Sequence, residues 1–323
     1  MFLLIIIAII SYVSYRIYRS TLSTPNIDSH GKYVLISGCD TGFGYQLAIE
    51  LDKQGFNILA GVYSRDNIRS LHNKLSFNAA VFHLDITNQN SIDTAFDIVT
   101  KKTKVLHALI NNAGINDGYF IDWTSIDTMR KVMNVNFFGH VAMTKIFLPL
   151  LIAKRDSRVI NMGSMCGYIS LPGSSAYCAS KYALESFSDC LRREMASWGL
   201  HVCLIEGGPM RTSFIDDIEK KIRNAWNHLS TGNQQRYGDY FLNNTILQSI
   251  NSGIVISAEN PDIVIQATQH AVSNTKPFIR YRAGWQSKMF FLVSQLFPSD
   301  IMDSFLTMGP TLIPDAVHKQ LTD

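Results

Sequence analysis

The chain has 323 residues, with 29 Lys and Arg against 26 Asp and Glu for a formal net charge of +3, and 46% of its residues are hydrophobic. That length suits one large α/β core with a modest extension, and no proline-rich linker or low-complexity tract divides it. The balanced charge, without a dense basic stripe, excludes a nucleic-acid footprint. The five cysteines at 39, 166, 178, 190 and 203 have neither metal-ligand spacing nor the even count of a closed disulfide framework, so no metal is expected.

Residues 2–10 are apolar throughout, and 2–18 contain no acidic residue, the lower edge of what a helix needs to cross about 30 Å of hydrocarbon. Ser20-Thr21-Leu22-Ser23 is a poor cleavage site, so the spacing predicts an uncleaved single-pass anchor over 1–19, with a cleaved signal or a surface arm as alternatives. Tyr12, Tyr15 and Tyr18 suit an interfacial belt. Arg16, Arg19 and Lys32 follow the apolar run and no basic residue precedes it, which predicts a cytosolic catalytic domain.

Residues 32–37 form a β-rich run, and 45–54 have helical apolar spacing at Leu47, Ala48 and Leu51. Further strands are predicted at 57–63, 80–84 and 106–110. Strands alternating with helical stretches at this rhythm predict βαβ units, a doubly wound α/β fold with a mostly parallel sheet. Between the first strand and helix lies Gly38-Cys39-Asp40-Thr41-Gly42-Phe43-Gly44. Glycines there permit a tight turn and close backbone approach, so a pyrophosphate can meet the free N–H groups of the helix. After the second strand the chain reads Tyr63-Ser64-Arg65-Asp66 with no acid at the strand end. Arg65 therefore favours NADP(H) over NAD(H), although Arg65 and Asp66 also read as an exposed polar pair at a helix start. Asp85, after the third strand, either accepts a hydrogen bond near the adenine or caps the helix that follows. Asn111-Asn112-Ala113-Gly114 ends the fourth strand and suits close cofactor contact; a plain turn is the bland alternative.

A long helical stretch spans 126–153 and carries Asn134, Asn136 and His140 among apolar residues. Asn136, polar on a mostly buried helix, must find partners, and can bend the backbone or hold a water. His140 reads as a satisfied helix histidine. Residues 158–162 read as a fifth strand with Ser164 at its end, and Tyr177 opens a helix that places Lys181 four residues on, on the same face. An ammonium under a phenol is expected to lower the phenol's pKa. Tyr177 then exchanges a proton with a carbinol or carbonyl oxygen, and Ser164 stabilises charge on that oxygen.

With the glycine turn, Asn111-Asn112-Ala113-Gly114, Asn136, Ser164, Tyr177 and Lys181 all in place, the chain resembles the short-chain dehydrogenase/reductase superfamily over roughly residues 30–300. Gly38 to Gly44 and Arg280-Tyr281-Arg282-Ala283-Gly284-Trp285 make it similar to the membrane-associated retinol and 17β-hydroxysteroid dehydrogenase group. The resemblance implies a Rossmann fold with about seven strands, catalysis by Tyr177, Lys181, Ser164 and Asn136, and a homodimer built on long helices. It implies that Lys181 also holds the nicotinamide ribose, that Asn136 binds a relay water, and that the anchor lies in the endoplasmic reticulum. Gly38, Thr41, Gly42, Phe43, Gly44, Arg65, Asp85, Asn112, Ala113, Gly114 and Thr212 complete the expected cofactor set. Two departures stand out: the family's Pro-Gly after the sixth strand reads Glu206-Gly207-Gly208-Pro209 here, and Ser64-Arg65 replaces the Thr-Glu of NAD-preferring members.

Residues 213–260 are expected to form a substrate lid, with Phe214, Ile215, Ile218, Ile222, Trp226 and Leu229 among Asp216, Asp217, Lys220 and Lys221. Ordinary helix packing accounts for the same pattern. Residues 285–323 read as an apolar extension that touches a bilayer or completes the cleft. Together these features predict an oxidoreductase acting on a small lipophilic substrate, a retinoid, a hydroxysteroid or another lipid alcohol. A catalytically idle nucleotide-binding membrane scaffold is the alternative, which loss of Tyr177 or Lys181 would have favoured.

Overall fold

The computed structural model describes residues 24–212, 217–306 and 312–322, with positions 7, 11 and 14 of the N-terminal run. Most of the expected anchor over 1–19, and Phe214, Ile215 and Asp216 of the expected lid, lie outside the described residues.

The first half alternates strand and helix: β1 (Tyr33–Ser37), α1 (Gly42–Lys53), β2 (Asn57–Val62), α2 (Asn67–His72), β3 (Ala80–His83), α3 (Gln89–Lys102) and β4 (Ala108–Asn111). The helix α4 (Ile126–Met133) runs through a π-helical turn (Asn134–Gly139) into α5 (His140–Ile152), followed by β5 (Arg158–Met162), α6 (Ser175–Glu194) and β6 (His201–Gly207). Four helices come next: α7 (Ile218–Asn227), α8 (Thr231–Tyr237), α9 (Asp239–Ile250) and α10 (Gly253–Ile256). The chain then forms α11 (Asp262–Ser273), β7 (Arg280–Ala283), α12 (Trp285–Leu296), α13 (Ser299–Leu306) and α14 (Asp315–Thr322).

All seven strands pair in parallel in the order β3-β2-β1-β4-β5-β6-β7. A sheet buried on both faces needs apolar residues at successive positions, as Val34, Leu35 and Ile36 provide. Their side chains alternate between two cores: Val34 and Ile36 meet Leu47 and Leu51 of α1 and Val264 and Val272 of α11, whereas Leu35 meets Ile92 of α3 and Met143 and Phe147 of α5. The order reverses between β1 and β4, so their carboxyl ends diverge and leave a crevice there.

The continuous helix Ile126–Ile152 is the one described helix long and apolar enough to cross a membrane. Part of its apolar surface is accounted for otherwise, because Val132, Met143, Phe147 and Leu151 are wholly buried in the domain. A third cluster joins Trp123 to Ile222, Trp226, Phe241 and Ile246, tying α7 and α9 together above the sheet's carboxyl edge. A fourth packs Met165, Cys166 and Cys178 against Phe290 of α12 and Met302 of α13, which brings the C-terminal extension to the same edge.

Candidate active site

At that edge lies a cavity of ≈ 1500 Å³, lined at one end by the turn after β1 and at the other by α7, α9 and α10. The turn is shaped for something to lie against its backbone. Gly38 (φ +71°) and Gly42 (φ +60°) take left-handed conformations, and a Cβ at Gly38 would stand 2.7 Å from the Ala113 Cα. A Cβ at Gly44 would strike the Gly38 carbonyl and the Asn112 amide. That amide donates to the carbonyls of Ser37 (3.0 Å) and Gly38 (2.9 Å), stitching the β1 and β4 ends together across the crevice. Thr41 at the N-cap of α1 makes no side-chain cap bond, so the first N–H groups of α1 are left for an anion. Phe43, Ala113 and Gly114 line the same wall. These residues fit a dinucleotide pyrophosphate.

The end of β2 differs from the expectation. Arg65 is exposed and is not among the lining residues, whereas Tyr63, Ser64 and Asn67 are. What organises this corner is Asp40, whose carboxylate accepts from the Tyr63 N–H (2.8 Å), the Ser64 N–H (2.8 Å) and the Asn67 amide (3.0 Å). The group in the wall at this corner is a carboxylate that already holds the turn's N–H donors, and Arg65 stands beside it at the surface. Asp85 also lines the cavity, but its carboxylate accepts from the backbone and hydroxyl of Thr87 (2.9 and 2.7 Å), while Asn88 caps α3.

Asn136 sits in the π-helical turn, wholly buried. Its Oδ1 accepts from the Ile115 N–H and its Nδ2 donates to the Ile115 carbonyl, both at 2.8 Å, and to the Ser180 hydroxyl at 3.0 Å. Both amide hydrogens are used. The side chain clamps the segment after β4 to the helix carrying Tyr177.

Ser164, Tyr177 and Lys181 converge on the cavity floor. Lys181 is buried, donates to the Met162 carbonyl at 2.7 Å and lies 5.5 Å from the centre of the Tyr177 ring. Burial pushes its ammonium down to about 8, with Cys166 and Glu185 opposing. The expected lowering of the Tyr177 pKa is not what the site produces. Burial pushes the phenol well above its ordinary range, the Cys166 thiol adds to this, and the nearby Ser164 hydroxyl offsets only part. The Lys181 ammonium is directed at a carbonyl instead of at the phenol oxygen.

A family model described as short chain dehydrogenase matches residues 32–223. The chain belongs to the short-chain dehydrogenase/reductase family. It is 35% identical over 279 residues to mouse retinol dehydrogenase 7, covering 85% of this chain and 87% of that one. Bovine 17-beta-hydroxysteroid dehydrogenase type 6 is 33% identical over 281 residues, covering 85% and 88%. Among solved structures, a short chain dehydrogenase/reductase from Burkholderia phymatum in complex with NAD superposes with a TM-score of 0.68 at 19% identity, covering 88% of this chain and 98% of that one. The protein is accordingly an NAD(P)-dependent oxidoreductase.

The displaced proline of this dehydrogenase does not leave the segment after β6 loose. The Pro209 carbonyl accepts from Glu259 (3.0 Å) and the Arg211 N–H donates to Glu259 (2.9 Å), so Met210 is bridged on both sides. Thr212 lines the cavity, and its hydroxyl donates to the Met210 carbonyl at 3.3 Å. His140 donates from Nε2 to the Ala113 carbonyl (2.7 Å), while its buried Nδ1 has no partner; burial, with Lys181 nearby, pulls its pKa down to about 3 and keeps it neutral.

Sequence reasoning named Asp40 only as part of the glycine turn and Lys221 only as a polar residue of the expected lid, and it missed Ser180. A carboxylate inside a glycine turn was the available signal for the first. Ile222 and Trp226 turn into the Trp123 cluster, and from α7 it is Ile218 and Lys221 that face the cavity.

Proposed function

We propose that the protein transfers a hydride between NAD(H) and the carbinol or carbonyl carbon of a lipophilic retinoid- or hydroxysteroid-class substrate. The observation that carries this reading is the convergence of Ser164, Tyr177 and Lys181 between a pyrophosphate-sized glycine cradle and a largely apolar chamber. Tyr177 takes the proton from the substrate hydroxyl in oxidation and returns it to the carbonyl oxygen in reduction. Ser164 hydrogen-bonds that oxygen as charge develops on it, and Lys181 supplies a positive field beneath the phenol. Bound nicotinamide supplies the hydride acceptor or donor. Residues 213–260, through Ile218, Phe241 and Val255, act as the lid, and the names of the relatives favour the retinoid and steroid classes.

The sequence favoured NADP(H) through Arg65. The position of Asp40 supports NAD(H) instead: a 2′-phosphate would meet a carboxylate that has already engaged the Tyr63 and Ser64 N–H groups. The apolar run 2–10, within a stretch to residue 18 that has no acidic residue, supports a membrane anchor, which extraction of the full chain from membranes at alkaline pH checks.

The test is turnover of retinoid and hydroxysteroid alcohol/carbonyl pairs by the full chain in detergent. Tyr177→Phe is expected to lower kcat by about 10²–10⁴-fold while leaving dinucleotide binding intact. Nucleotide binding without Tyr177-dependent turnover of any pair rejects the reading and restores the idle scaffold.

A further inference from the structure

Of the positively charged residues in the cavity wall that the reaction does not use, Arg130 pairs with Asp127 and Lys131 with Asp117, which leaves Lys221 to account for. Lys221 lies three residues after Ile218 on α7, and both line the cavity. The next residue, Ile222, and Trp226 turn away into the Trp123 cluster, so the helix is fixed in rotation by its buried face. Among the described residues, the Lys221 ammonium makes no ion pair within 4 Å and no hydrogen bond. The carboxylate acting on it, Asp117, is already paired with Lys131 at 3.0 Å and accepts from the Gly118 N–H. Among the described residues one positive charge is therefore left over, in a wall that includes Leu171, Ile254, Leu306 and Leu312.

Desolvating an unmatched cation is costly, and an anion brought in by a ligand offsets that cost where an apolar ligand would increase it. Burial already pulls the Lys221 pKa down to about 8, which leaves it charged at neutral pH. Its place also separates it from the nucleotide. The pyrophosphate cradle is at the turn after β1, whereas Lys221 feels the Cys166 and Cys178 thiols that flank Tyr177.

We propose that Lys221 is the specificity-determining cation of the substrate chamber and selects lipophilic alcohols or ketones that carry a carboxylate. This rests on the hydride-transfer reading, which names the chamber as the substrate's.

Equilibrium binding separates the two claims. Titrating the full chain, loaded with NAD⁺ or NADH, with a 3-hydroxy- or 3-ketocholanoate and with its methyl ester is expected to show the acid binding at least about tenfold tighter. Lys221→Met and Lys221→Gln should bring the pair within about twofold by weakening the acid alone, and Lys221→Arg should restore the preference. Equal binding of acid and ester by the native chain, no binding of either, or an acid preference that survives both neutral variants overturns the proposal. So does a loss of NAD(H) affinity without loss of acid preference, which would assign Lys221 to the nucleotide. Turnover in the same samples reports independently: preferential acid binding without any Tyr177-dependent hydride transfer defeats the reaction reading and leaves the anion site standing.

Discussion

Asp40 shows how one side chain can compete with a reading made from its neighbours. In the sequence it is a polar residue inside a glycine turn, and Arg65 is the conspicuous charge at the end of the second strand. Only the fold shows that the turn after β1 reaches over the end of β2, so that Asp40 binds three donors there while Arg65 points to solvent. Asp40→Ala is expected to lower kcat/KM for NAD(H) by roughly tenfold and shift the ratio toward NADP(H), because three charge-assisted hydrogen bonds are lost and the turn's N–H groups are freed. Arg65→Ala should change kcat/KM for either cofactor by less than about twofold. Steady-state kinetics with both cofactors decides it, and a selective loss of NADP(H) activity in Arg65→Ala would reinstate the arginine. Tyr177, Lys181 and Ser164 were legible because their spacing is local, four residues on a helix and two beyond a strand. The electrostatics were not, since a pKa depends on burial that spacing does not report.

Elements place these residues, and the π-helical turn does so most directly. An extra residue in the helical repeat turns Asn136 inward, where it pairs with both backbone groups of Ile115 and with Ser180, the residue before Lys181. The sequence marked Asn136 as a polar residue needing partners, but a register change inside a continuous helix leaves no compositional trace. Asn136→Ala is expected to cost about 2 kcal/mol in urea unfolding, from the orphaned Ile115 groups, and to lower kcat by roughly tenfold or more. Dinucleotide affinity should change far less, because the glycine cradle is held separately by Asn112. A substitution that lowers stability while kcat is unchanged would reduce Asn136 to a packing role. The helix α7 shows the converse limit: its amphipathic pattern was legible, yet which edge of its polar side meets the cavity was fixed by the Trp123 cluster, built from residues a hundred positions apart.

At the scale of the whole molecule the sheet was the most legible feature, because strands buried on both faces must be apolar and short. The support beneath it was not. At the amino ends of the strands Arg158, buried at the start of β5, donates to the carbonyls of Ala271, Val272 and Asn274, and His107 meets the Val272 carbonyl at 3.0 Å. A cation at the end of α11 is favourably placed. His107, with its pKa lowered to about 3 by burial and by Arg158, stays neutral, as does His140. Both folded-state values lie below the unfolded value of about 6.5, so the unfolded chain binds more protons in acid. The stability these neutral histidines support is complete above pH 6.5 and is lost as pH falls toward 3, by about 1.4 kcal/mol per pH unit for each. Urea midpoints at pH 6, 5 and 4 should fall accordingly, and His107→Gln should make that fall shallower; an unchanged slope would assign the acid sensitivity elsewhere.

The same underside fastens the incoming chain. Thr24, Asn26 and Ile27 are bonded to Ser273 and Asn274, directly above Arg158 and at the opposite end of the strands from Tyr177. Residues 19–23 extend by at most about 17 Å, close to the length of a five-residue strand. If residues 2–18 are held in a bilayer, the leash is tied to the wrong end of the molecule to draw its mouth onto the lipid. Any contact between the carboxyl edge and lipid would then fall to that edge's own apolar residues, such as the exposed Leu292, Leu296 and Phe297 of the α12 segment.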